Sequence, residues 1–382
     1  MTWSFKLVRL LGVDVKVHFT FLLVLLFIGL DGYRTGGLAA ATQTVGLTLS
    51  VFACVVLHEY GHILTARQFG IRTRDVVLLP IGGLARLERL PERPREEFLI
   101  AVAGPAVNLA IAFVVGGVIL LLGEQPTAFL GRTIPALLTG EPEGIALLYS
   151  SFPHFLITIN LFLLAFNLIP AYPMDGGRVL RAVLATRLGM VRATRLAARV
   201  GQVIAMVAGV FGLLSQDMMI MLLALFVFLG AGAEAAAVET KAAGQGIIVD
   251  QMMITRFETI PAYAPLRTAV DLLLDGEQRE FPVVDTSGAV IGLLTRDNLI
   301  RGLAGRGPDS TVAETMTAGV AALPLGLSFE EALHRLRGSG LPALPVLDST
   351  GRIAGLLTMD NITDLILVRQ AARRDDGKAG GR

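Results

Sequence analysis

Cysteine is almost absent from this chain, since Cys54 is the single cysteine among 382 residues. No intramolecular disulfide can therefore form, and cysteine usage does not indicate a compartment. Charged residues are also scarce, at 17% of the chain, against about 25% in ordinary soluble domains. The net charge of +1 and the lack of a basic stripe interleaved with aromatic residues argue against a nucleic-acid partner. The hydrophobic fraction of 53% favours an integral protein of a lipid bilayer that carries a soluble part.

Six apolar segments have a length that spans, or nearly spans, a bilayer. They cover residues 17–36, 42–66, 98–122, 152–172, 198–215 and 218–237, and the last two are close enough for a helical hairpin. Arginine and lysine are concentrated before the first segment and in the second and fourth loops. The positive-inside rule therefore predicts cytoplasmic termini for a multi-pass protein, with a prokaryotic cell membrane as the expected location. A signal peptide is the alternative for the first segment, but the alternating loop charges favour a retained helix.

Two histidines and a glutamate interrupt the second apolar segment, in the stretch "HEYGH" from His58 to His62. Residues four apart lie on one face of a helix, so His58 and His62 can ligate the same metal ion. Glu59 lies off that face, where it can act as a general base, as in zinc hydrolases with the H-E-x-x-H pattern. The alternative is a polar helix end with one satisfied histidine. Because ionisable residues inside a membrane span are rare and functional, metal ligation is the favoured interpretation.

A catalytic zinc ion needs a third protein ligand, and Asp175 is the best candidate for it. Pro170 and Pro173 precede this residue and Gly176-Gly177 follow it, so the fourth apolar helix must end or unwind here. Irregular backbone at membrane depth is tolerated only inside protein or around a wet cavity, where a carboxylate can turn towards the two histidines. An ordinary cap of a cytoplasmic loop is the alternative for Asp175.

The other polar residues of the apolar segments allow less specific predictions. His154 belongs to the outer end of the fourth segment and His18 lacks polar neighbours, so both are expected at the membrane interface. Asn167 and Asn108 are candidates for donating a hydrogen bond to an oxyanion. Helix packing is an equal alternative for Asn167 and the favoured one for Asn108. Cys54 is predicted to be a small buried residue rather than a ligand.

After Gly246 the composition turns soluble and an internal repeat appears, with a constant offset of 63 residues. Pro282–Asp285 recurs as Pro345–Asp348, and Gly292–Thr295 recurs as Gly355–Thr358. This pattern predicts a tandem module of the βαββα type. Between the second and third apolar segments, alternating residues around Gly82-Gly83 predict a β-hairpin or small sheet, with an ordinary loop as the alternative.

The motifs of the apolar part resemble those of the site-2 protease family of intramembrane zinc metalloproteases. The resemblance covers roughly residues 1–237 and rests on "HEYGH", on "GPAVNL" in the third segment and on "FNLIPAYPMDGGR" after the fourth. It implies that His58, His62 and Asp175 bind one Zn²⁺ per chain and that Glu59 is the catalytic glutamate. Asn167 matches the active-site asparagine of the family. The implied substrates are membrane-embedded proteins, often regulators, whose transmembrane segments are cleaved.

The soluble repeat resembles a pair of cystathionine-β-synthase (CBS) domains, through "GLLTRDNL" and "GLLTMDNI". Such pairs bind adenosine nucleotides, which makes ATP, ADP or AMP the candidate ligands and implies a homodimer formed through the CBS domains. The matching ligand-binding candidates are the Thr, Asp and Asn of each signature: Thr295, Asp297, Asn298, Thr358, Asp360 and Asn361. The family often has Asp where Asn298 and Asn361 stand. A purely structural or dimerising module is therefore the alternative.

The predicted fold is a polytopic α-helical membrane protein with about six transmembrane helices and a small β-hairpin or sheet after the second, followed by soluble α/β tandem CBS domains. The predicted boundaries are 1–240 for the protease-like domain, 246–306 and 307–370 for the two CBS domains, and 371–382 for a disordered tail. The predicted function is intramembrane zinc-dependent proteolysis, regulated by nucleotide on the cytoplasmic CBS pair. The alternatives are a CBS-gated transporter or channel and a proteolytically inactive membrane binding protein.

Overall fold

The computed structural model describes residues 3–80, 82–88, 91, 93–139, 148 and 151–379 of the chain. Its internal contacts divide it into two compact units, Met1–Ala236 and Ala237–Arg382. The first unit, called the membrane unit below, contains the apolar helices and a β-sheet. The second, called the soluble unit, contains the internal repeat.

Seven helices of the described residues begin in the membrane unit. They are α1 (Phe19–Gln68), α2 (Pro94–Leu121), α3 (Pro126–Thr139), α4 (Phe152–Asn167), α5 (Asp175–Leu188), α6 (Met190–Leu214) and α7 (Met218–Gly244). Among the described residues, α1, α2, α6 and α7 are long and apolar enough to cross a membrane, and α4 is a shorter apolar helix. Large apolar side chains lie exposed on these helices, as at Leu121 (88% exposed) and Leu214 (78% exposed). Such exposure is typical of a surface that contacts lipid.

Helix α1 covers the residues for which two separate spans, 17–36 and 42–66, are predicted. Its 50 residues are interrupted at Gly36 and Gly37, which have non-helical dihedral angles. Gly37 has a φ of +70°, which glycine adopts without the strain of a Cβ atom. The two segments on either side fold back on each other. Gly32 and Thr44 lie so close together that a Cβ atom at Gly32 would be 2.6 Å from the side chain of Thr44. The rings of Phe21 and Phe52 also pack together, with centroids 4.4 Å apart.

A four-stranded sheet precedes and follows α1, in the order β1 (Ser4–Leu10), β2 (Val13–His18), β3 (Thr73–Leu79) and β4 (Gly82–Leu87). Strands β2 and β3 are parallel, and the outer pairs are antiparallel. The first apolar span was expected to begin at residue 17, but β2 continues to His18 and α1 begins at Phe19. Alternation explains the strand, since every second residue from Val13 to Val17 is buried against α1. His18 ends the strand and caps α1, with its Nδ1 accepting a hydrogen bond from the backbone of Thr20.

An ion cluster fixes the polar face of this sheet. Asp75 on β3 is 3% exposed and lies 2.5 Å from Nζ of Lys16 on β2. Arg86 on β4 donates two hydrogen bonds to the same carboxylate. The hydrogen bonds from Arg86, followed by those from Lys16, hold the pKa of Asp75 below its usual value despite burial. The cluster therefore links three neighbouring strands in one register.

A short irregular segment joins α4 to α5, and it contains the two prolines of the sequence motif. Ala171 and Tyr172 in it are almost fully buried. The turn into α5 needs glycine, because a Cβ atom at Gly176 would lie 2.2 Å from the carbonyl oxygen of Ile169. A Cβ atom at Gly177 would lie 2.7 Å from the backbone of Ala171. Asp175 is therefore presented as the first residue of α5 by a tightly packed backbone.

The soluble unit contains two repeats with the same order of strand, helix, strand, strand and helix. The first has β5 (Ile260–Pro261), α8 (Leu266–Asp275), β6 (Glu280–Val284), β7 (Val290–Thr295) and α9 (Arg296–Arg306). Strand β8 (Thr317–Ala318) follows the first repeat in sequence and pairs with β7. The second has β9 (Leu323–Pro324), α10 (Phe329–Ser339), β10 (Ala343–Leu347), β11 (Ile353–Thr358) and α11 (Met359–Ala379). The two sheets have the orders β5-β6-β7-β8 and β11-β10-β9. Each repeat has its own core, and a third cluster of Leu293, Ala343 and Leu356 packs between them.

The C-terminal segment differs from the predicted disordered tail. Helix α11 extends from Met359 to Ala379, so the backbone of residues 371–379 is helical. The run "RQAARRDD" explains this, because it consists mostly of good helix formers and contains no proline or glycine. Residues 380–382 lie outside the described residues.

Candidate metal centre and active site

The motif histidines lie on one buried face of the last turns of α1. His58 and His62 are each 6% exposed. Their Nε2 atoms are 3.1 Å apart, and their rings meet edge to face with centroids separated by 4.7 Å. The spacing of four residues in a helix thus brings the two Nε2 atoms to a common point, as the sequence predicted.

Asp175 reaches the same point from the start of α5. Its Oδ2 atom lies 3.1 Å from Nε2 of His58 and 3.0 Å from Nε2 of His62, and the residue is 7% exposed. The other oxygen, Oδ1, lies 3.6 Å from the guanidinium of Arg178. Within the part of the chain that the structure describes, this trio, called the metal cluster below, is the one group of three or more His, Cys, Asp or Glu side chains able to hold a metal ion.

The geometry of the metal cluster fits zinc. Ligand atoms of a tetrahedral zinc ion, at about 2.0–2.2 Å from the metal, lie about 3.3–3.5 Å from one another. The observed separations of 3.0–3.1 Å need only a few tenths of an ångström of expansion. Two imidazoles and one carboxylate are a donor set found in catalytic zinc sites that keep one position open. Gly104 on α2 provides the space, because a Cβ atom there would lie 2.3 Å from Nε2 of His62 and 2.6 Å from Nε2 of His58.

Glu59 lies beside the metal cluster without joining it. Its side chain is partly buried, and it makes no hydrogen bond to another described residue. Strand β4 passes close to it, since a Cβ atom at Gly83 would lie 2.7 Å from Cγ and 3.0 Å from a carboxylate oxygen of Glu59. The edge strand of the sheet and the carboxylate are therefore neighbours, with space between them only because residue 83 is glycine.

The Nδ1 atom of each histidine lies within hydrogen-bonding distance of an oxygen on α2. His62 Nδ1 lies 2.7 Å from the carbonyl oxygen of Ile100 on α2. His58 Nδ1 lies 2.5 Å from Oδ1 of Asn108, also on α2. Asn108 in turn donates from Nδ2 to Oδ1 of Asn160 on α4, at 2.8 Å. Sequence reasoning did not identify Asn160, although an amide in the middle of an apolar helix is a signal for a specific polar contact.

The remaining predicted site residues of the membrane unit are placed as follows. Asn167 ends α4 and donates from Nδ2 to the carbonyl of Leu163, at 3.0 Å, with no hydrogen bond to the metal cluster among the described contacts. His154 is buried near Glu124, at 3.7 Å, and against the ring of Phe129, away from the metal cluster. Cys54 is buried, and its Sγ accepts a hydrogen bond from Asn160 at 3.2 Å.

A buried ion network that the sequence did not reveal holds α5 in place. Arg181 on α5, 3% exposed, binds Glu97 on α2, which is fully buried, and Glu234 on α7 at 2.8 Å. The guanidinium also lies 5.4 Å from the ring centroid of Tyr172, a cation–π distance. The helix that presents Asp175 is thus tied to two others by charge-assisted hydrogen bonds.

Several predicted ligand residues of the soluble unit form hydrogen bonds within the fold. The hydroxyls of Thr295 and Thr358 accept hydrogen bonds from the backbone of Asn298 (3.2 Å) and Asn361 (3.1 Å), which caps α9 and orders the start of α11. The side chain of Asn298 also donates to Thr317 and accepts from Arg301.

The two aspartates predicted as ligand residues, Asp297 and Asp360, are exposed. Both lie close enough to Glu280 to affect its ionisation. Burial, followed by repulsion from Asp360, raises the pKa of Glu280, and Asp297 adds to that repulsion. The signatures of the two repeats thus lie near one another.

Comparisons with known proteins match both units. The model of peptidase family M50 matches residues 46–208, and the CBS domain model matches residues 249–305 and 312–368. Zinc metalloprotease MJ0392 of Methanocaldococcus jannaschii is 33% identical over 300 residues, which cover 78% of this chain and 80% of that protein. The protein named Rip3 of Mycobacterium tuberculosis is 28% identical over 391 residues, covering 96% of this chain and 93% of the relative. The solved site-2 protease from Methanocaldococcus jannaschii is 32% identical and covers 61% of this chain and 95% of its own, with a TM-score of 0.42.

The similarity to the archaeal zinc metalloprotease covers most of both chains and includes both units. The matched M50 segment contains the "HEYGH" motif as well as Asp175. The chain belongs to peptidase family M50, the site-2 protease family of zinc metalloproteases, and carries a tandem pair of CBS domains.

Proposed function

We propose that this protein is an intramembrane zinc endopeptidase that cleaves transmembrane segments of membrane proteins, with the metal cluster as its zinc site. The observation that carries the proposal is the approach of Nε2 of His58, Nε2 of His62 and Oδ2 of Asp175 to within 3.1 Å of one another, with the carboxylate of Glu59 beside them. Both histidines and Asp175 are buried, so electrostatic interactions within the site are stronger than they would be in bulk water.

Each residue has a defined role in this proposal. His58, His62 and Asp175 hold the metal, and zinc at this point supplies Lewis-acid polarisation of a peptide carbonyl and a lowered pKa for water. Glu59 removes a proton from the attacking water and delivers it to the leaving amine. Because Glu59 has no competing hydrogen bond among its described neighbours, its carboxylate is available for both transfers.

Asn167 is proposed to donate a hydrogen bond to the developing oxyanion. One hydrogen of its Nδ2 is used by Leu163, and the second is available. Asn108 is the weaker candidate, because its oxygen faces His58 and its nitrogen faces Asn160. Loss of one oxyanion donor lowers kcat by about 10²–10³ in hydrolases. Asn167→Ala should therefore lower kcat while the zinc content stays at one per chain.

Strand β4 is proposed to hold the substrate in an extended form. A helix hides its scissile carbonyls in hydrogen bonds, so a substrate segment must unwind before it is cut. As the edge strand of the four-stranded sheet, β4 can pair with an extended segment, and its Gly83 lies against Glu59. Proline substitutions in β4, which is the 82–87 part of the predicted segment 76–87, should abolish cleavage while zinc binding persists. Unchanged cleavage would remove β4 from the proposal.

The catalytic test compares wild type with Glu59→Gln, both purified in detergent and loaded with zinc. We expect about one zinc ion per chain in both proteins and cleavage of a membrane-protein substrate by the wild type alone. His154→Gln is a matched control, because it changes a buried histidine outside the metal cluster. Equal cleavage by Glu59→Gln would contradict the assigned base. Zinc binding without cleavage by wild type, over a broad substrate panel, would favour the inactive binding protein.

We further propose six spans with both termini and the soluble unit in the cytoplasm. The fold-back at Gly36-Gly37 supports the count, because it turns the 50 residues of α1 into two antiparallel segments. The proposed domains are 1–240, 246–306 and 307–370, in a prokaryotic cell membrane. In a Cys54→Ser background, single cysteines at Arg34 and Gln216 should react with an impermeant maleimide added outside intact cells. A cysteine at Arg187 should react only after lysis, and the reverse pattern would invert the topology.

For the soluble unit, we propose an adenosine nucleotide as a regulatory ligand. A cleft of about 410 Å³ lies along α9, lined by Asn298, Arg301, Arg306 and Thr315. The guanidinium groups of Arg301 and Arg306 can form charge-assisted hydrogen bonds with a phosphate group. The hydroxyl of Thr315 is buried and has no hydrogen-bond partner among the described residues, so a ligand can satisfy it.

Calorimetry of the full chain with ATP, ADP and AMP tests this proposal. We expect binding by the wild type, and binding at least tenfold weaker for Arg301→Ala. Arg279→Ala serves as the control, because this arginine does not line the cleft. No heat at millimolar nucleotide would favour the structural alternative. Light scattering of the same samples tests the proposed homodimer.

A further inference from the structure

A row of hydrogen-bonded, buried amides extends from His58 through α2 to α4. His58 Nδ1 lies 2.5 Å from Oδ1 of Asn108, and Nδ2 of Asn108 lies 2.8 Å from Oδ1 of Asn160. Nδ2 of Asn160 then lies 2.8 Å from the carbonyl oxygen of Leu156. Asn108 and Asn160 are both fully buried. Three helices, α1, α2 and α4, thus contribute to one continuous row of hydrogen bonds.

The direction of this row is fixed at its far end. A backbone carbonyl can only accept, so the group that Asn160 presents to Leu156 must be its NH₂. The oxygen of Asn160 therefore faces Asn108, and only the NH₂ of Asn108 can donate to it. The oxygen of Asn108 is then directed at His58, where it can only accept. Each amide has its oxygen directed at a donor and its NH₂ directed at an acceptor, and Nδ2 of Asn160 also lies 3.2 Å from Sγ of Cys54. Reversal of either amide would place two acceptors or two donors face to face.

We infer that Asn160, which touches no metal ligand, selects through Asn108 the tautomer of His58 that can bind zinc. This inference rests on the proposed zinc site. A neutral imidazole carries one N–H, and the oxygen of Asn108 requires it at Nδ1. Nε2 then presents a lone pair to the metal cluster. In the other tautomer Nε2 carries the hydrogen and cannot ligate.

His62 reaches the same state by a shorter route. Its Nδ1 lies 2.7 Å from the carbonyl of Ile100, which can only accept. Both histidines are therefore held with hydrogen at Nδ1 and a lone pair at Nε2. The carbonyl of Ile100 does this directly for His62, whereas for His58 the carbonyl of Leu156 acts through the amides of Asn160 and Asn108. Such outer partners typically change metal affinity by about 10–100-fold when removed.

Amides rather than carboxylates suit this row. Asp175 and Glu59 already bring two acidic side chains to the site, and a further buried anion behind His58 would be costly in a low-dielectric membrane. An amide also has both a donor and an acceptor, which a relay between His58 and the carbonyl of Leu156 requires. Asn108 and Asn160 are accordingly positioning residues rather than catalytic ones.

Zinc affinity, measured by competition with a chelator on the detergent-purified full chain, tests the inference. Asn108→Leu should weaken zinc binding by about 10–100-fold and Asn160→Leu by about tenfold. Thr158→Val is the matched control, since Thr158 is also buried on α4 and also donates to the carbonyl four residues earlier. It should bind zinc as wild type does. Equal loss in Thr158→Val would assign the effect to general loosening of α4 and overturn the inference.

Two further measurements separate a relay from a local structural role. In an Asn108→Leu background, Asn160→Leu should cause no additional loss of zinc affinity, because the relay is already broken. Asn160→Asp should restore near wild-type affinity, because a protonated carboxyl group can donate to Leu156 and accept from Asn108. In ¹⁵N spectra of metal-free, histidine-labelled protein, Asn160→Leu should raise the fraction of His58 with hydrogen at Nε2.

The outcomes distinguish this inference from the proposed function. A wild type that binds no zinc would contradict the zinc site itself. A wild type that binds zinc, together with Asn160→Leu of unchanged affinity, would contradict the relay alone. Additive losses in the double variant would also contradict it.

Discussion

In the membrane unit, polar side chains from four helices form hydrogen bonds in and around one site. In the soluble unit, a threonine of each repeat accepts a hydrogen bond at the start of a helix of the same repeat. His58, Asn108, Asn160 and Asp175 lie far apart in sequence and satisfy one another only in the folded state. The hydroxyl of Thr295, by contrast, accepts a hydrogen bond from the backbone N–H of Asn298, only three residues later. The difference shows which polar residues are committed to a shared site and which to the stability of a single element.

Substitution of Gly104 is expected to have the largest effect on the metal cluster. A Cβ atom there would overlap the imidazoles of His58 and His62, which are buried and hydrogen-bonded through Nδ1. We expect Gly104→Ala to weaken zinc binding by about 100-fold or more, since loss of even an outer partner costs about 10–100-fold. Gly117→Ala on the same helix is the matched control, because a Cβ atom there meets nothing within 4 Å. Chelator competition on both variants checks this, and equal affinities would contradict the close packing of α2 on the metal cluster.

A second substitution tests whether the membrane unit depends on distant charge pairs. Arg181→Met leaves Glu97 buried without its partner. Breaking such a buried pair costs about 3–5 kcal/mol of stability. Thermal unfolding in detergent should show this loss, together with weaker zinc binding as α5 moves. Arg187→Met, at an exposed position of the same helix, should change the stability by no more than about 0.5 kcal/mol. Similar unfolding of the two variants would show that α5 is held in another way.

In the soluble unit, we expect smaller and local effects. Removal of the capping hydroxyl by Thr295→Val should cost about 1 kcal/mol of stability, the usual value for a helix cap. Zinc affinity should not change, because this hydroxyl serves α9 alone. Hydrogen exchange of residues 280–306 in the full chain, with zinc titration in parallel, measures both effects. A loss of zinc affinity here would contradict the local character of the repeats.

The smallest expected effect is a pH dependence of the two matching turns, at Asp285 and Asp348. Hydrogen bonds from the side chains of Ser287 and Thr350, and then from the backbone, lower the pKa of these carboxyl groups. A lowered folded-state pKa stabilises the fold above the unfolded value of 3.8, and this contribution is lost as the pH falls through the folded-state pKa. Acid should therefore lower the protection of the amides in these turns, measured against their intrinsic exchange rates, below about pH 4, and less so in Ser287→Ala for the first turn. Identical acid profiles would exclude the turn hydrogen bond as the cause.

The sequence predicted those members of the candidate site whose signal is local. His58, Glu59 and His62 follow from helical spacing, and Asp175 follows from a break of the helix at Pro170 and Pro173. The Arg181–Glu97–Glu234 network and the role of Asn160 did not follow, because their partners come from helices whose packing no single segment encodes. Charge in an apolar helix signals that a partner exists but does not identify it.

The fold shows the same division. The 63-residue offset revealed the repeat, since matching residues recur in fixed order along the chain. Strands β1 and β2 were missed because Val13, Val15 and Val17 merge with the apolar start of α1, and β3, the parallel partner of β2, lies about sixty residues away in sequence. Pairing between distant strands leaves a weak period of two in each of them and no local signal of register.

X-ray absorption at the zinc edge of the loaded full-length protein tests the central claim most directly. Ligation by His58, His62 and Asp175 predicts only nitrogen and oxygen neighbours at about 2.0–2.2 Å, with the outer scattering of two imidazoles. The spectrum should change in Asp175→Ala and stay the same in His154→Gln. A sulfur neighbour at about 2.3 Å, which only Cys54 or a methionine could supply, or a spectrum indifferent to Asp175→Ala, would contradict the assignment of this cluster as the zinc site.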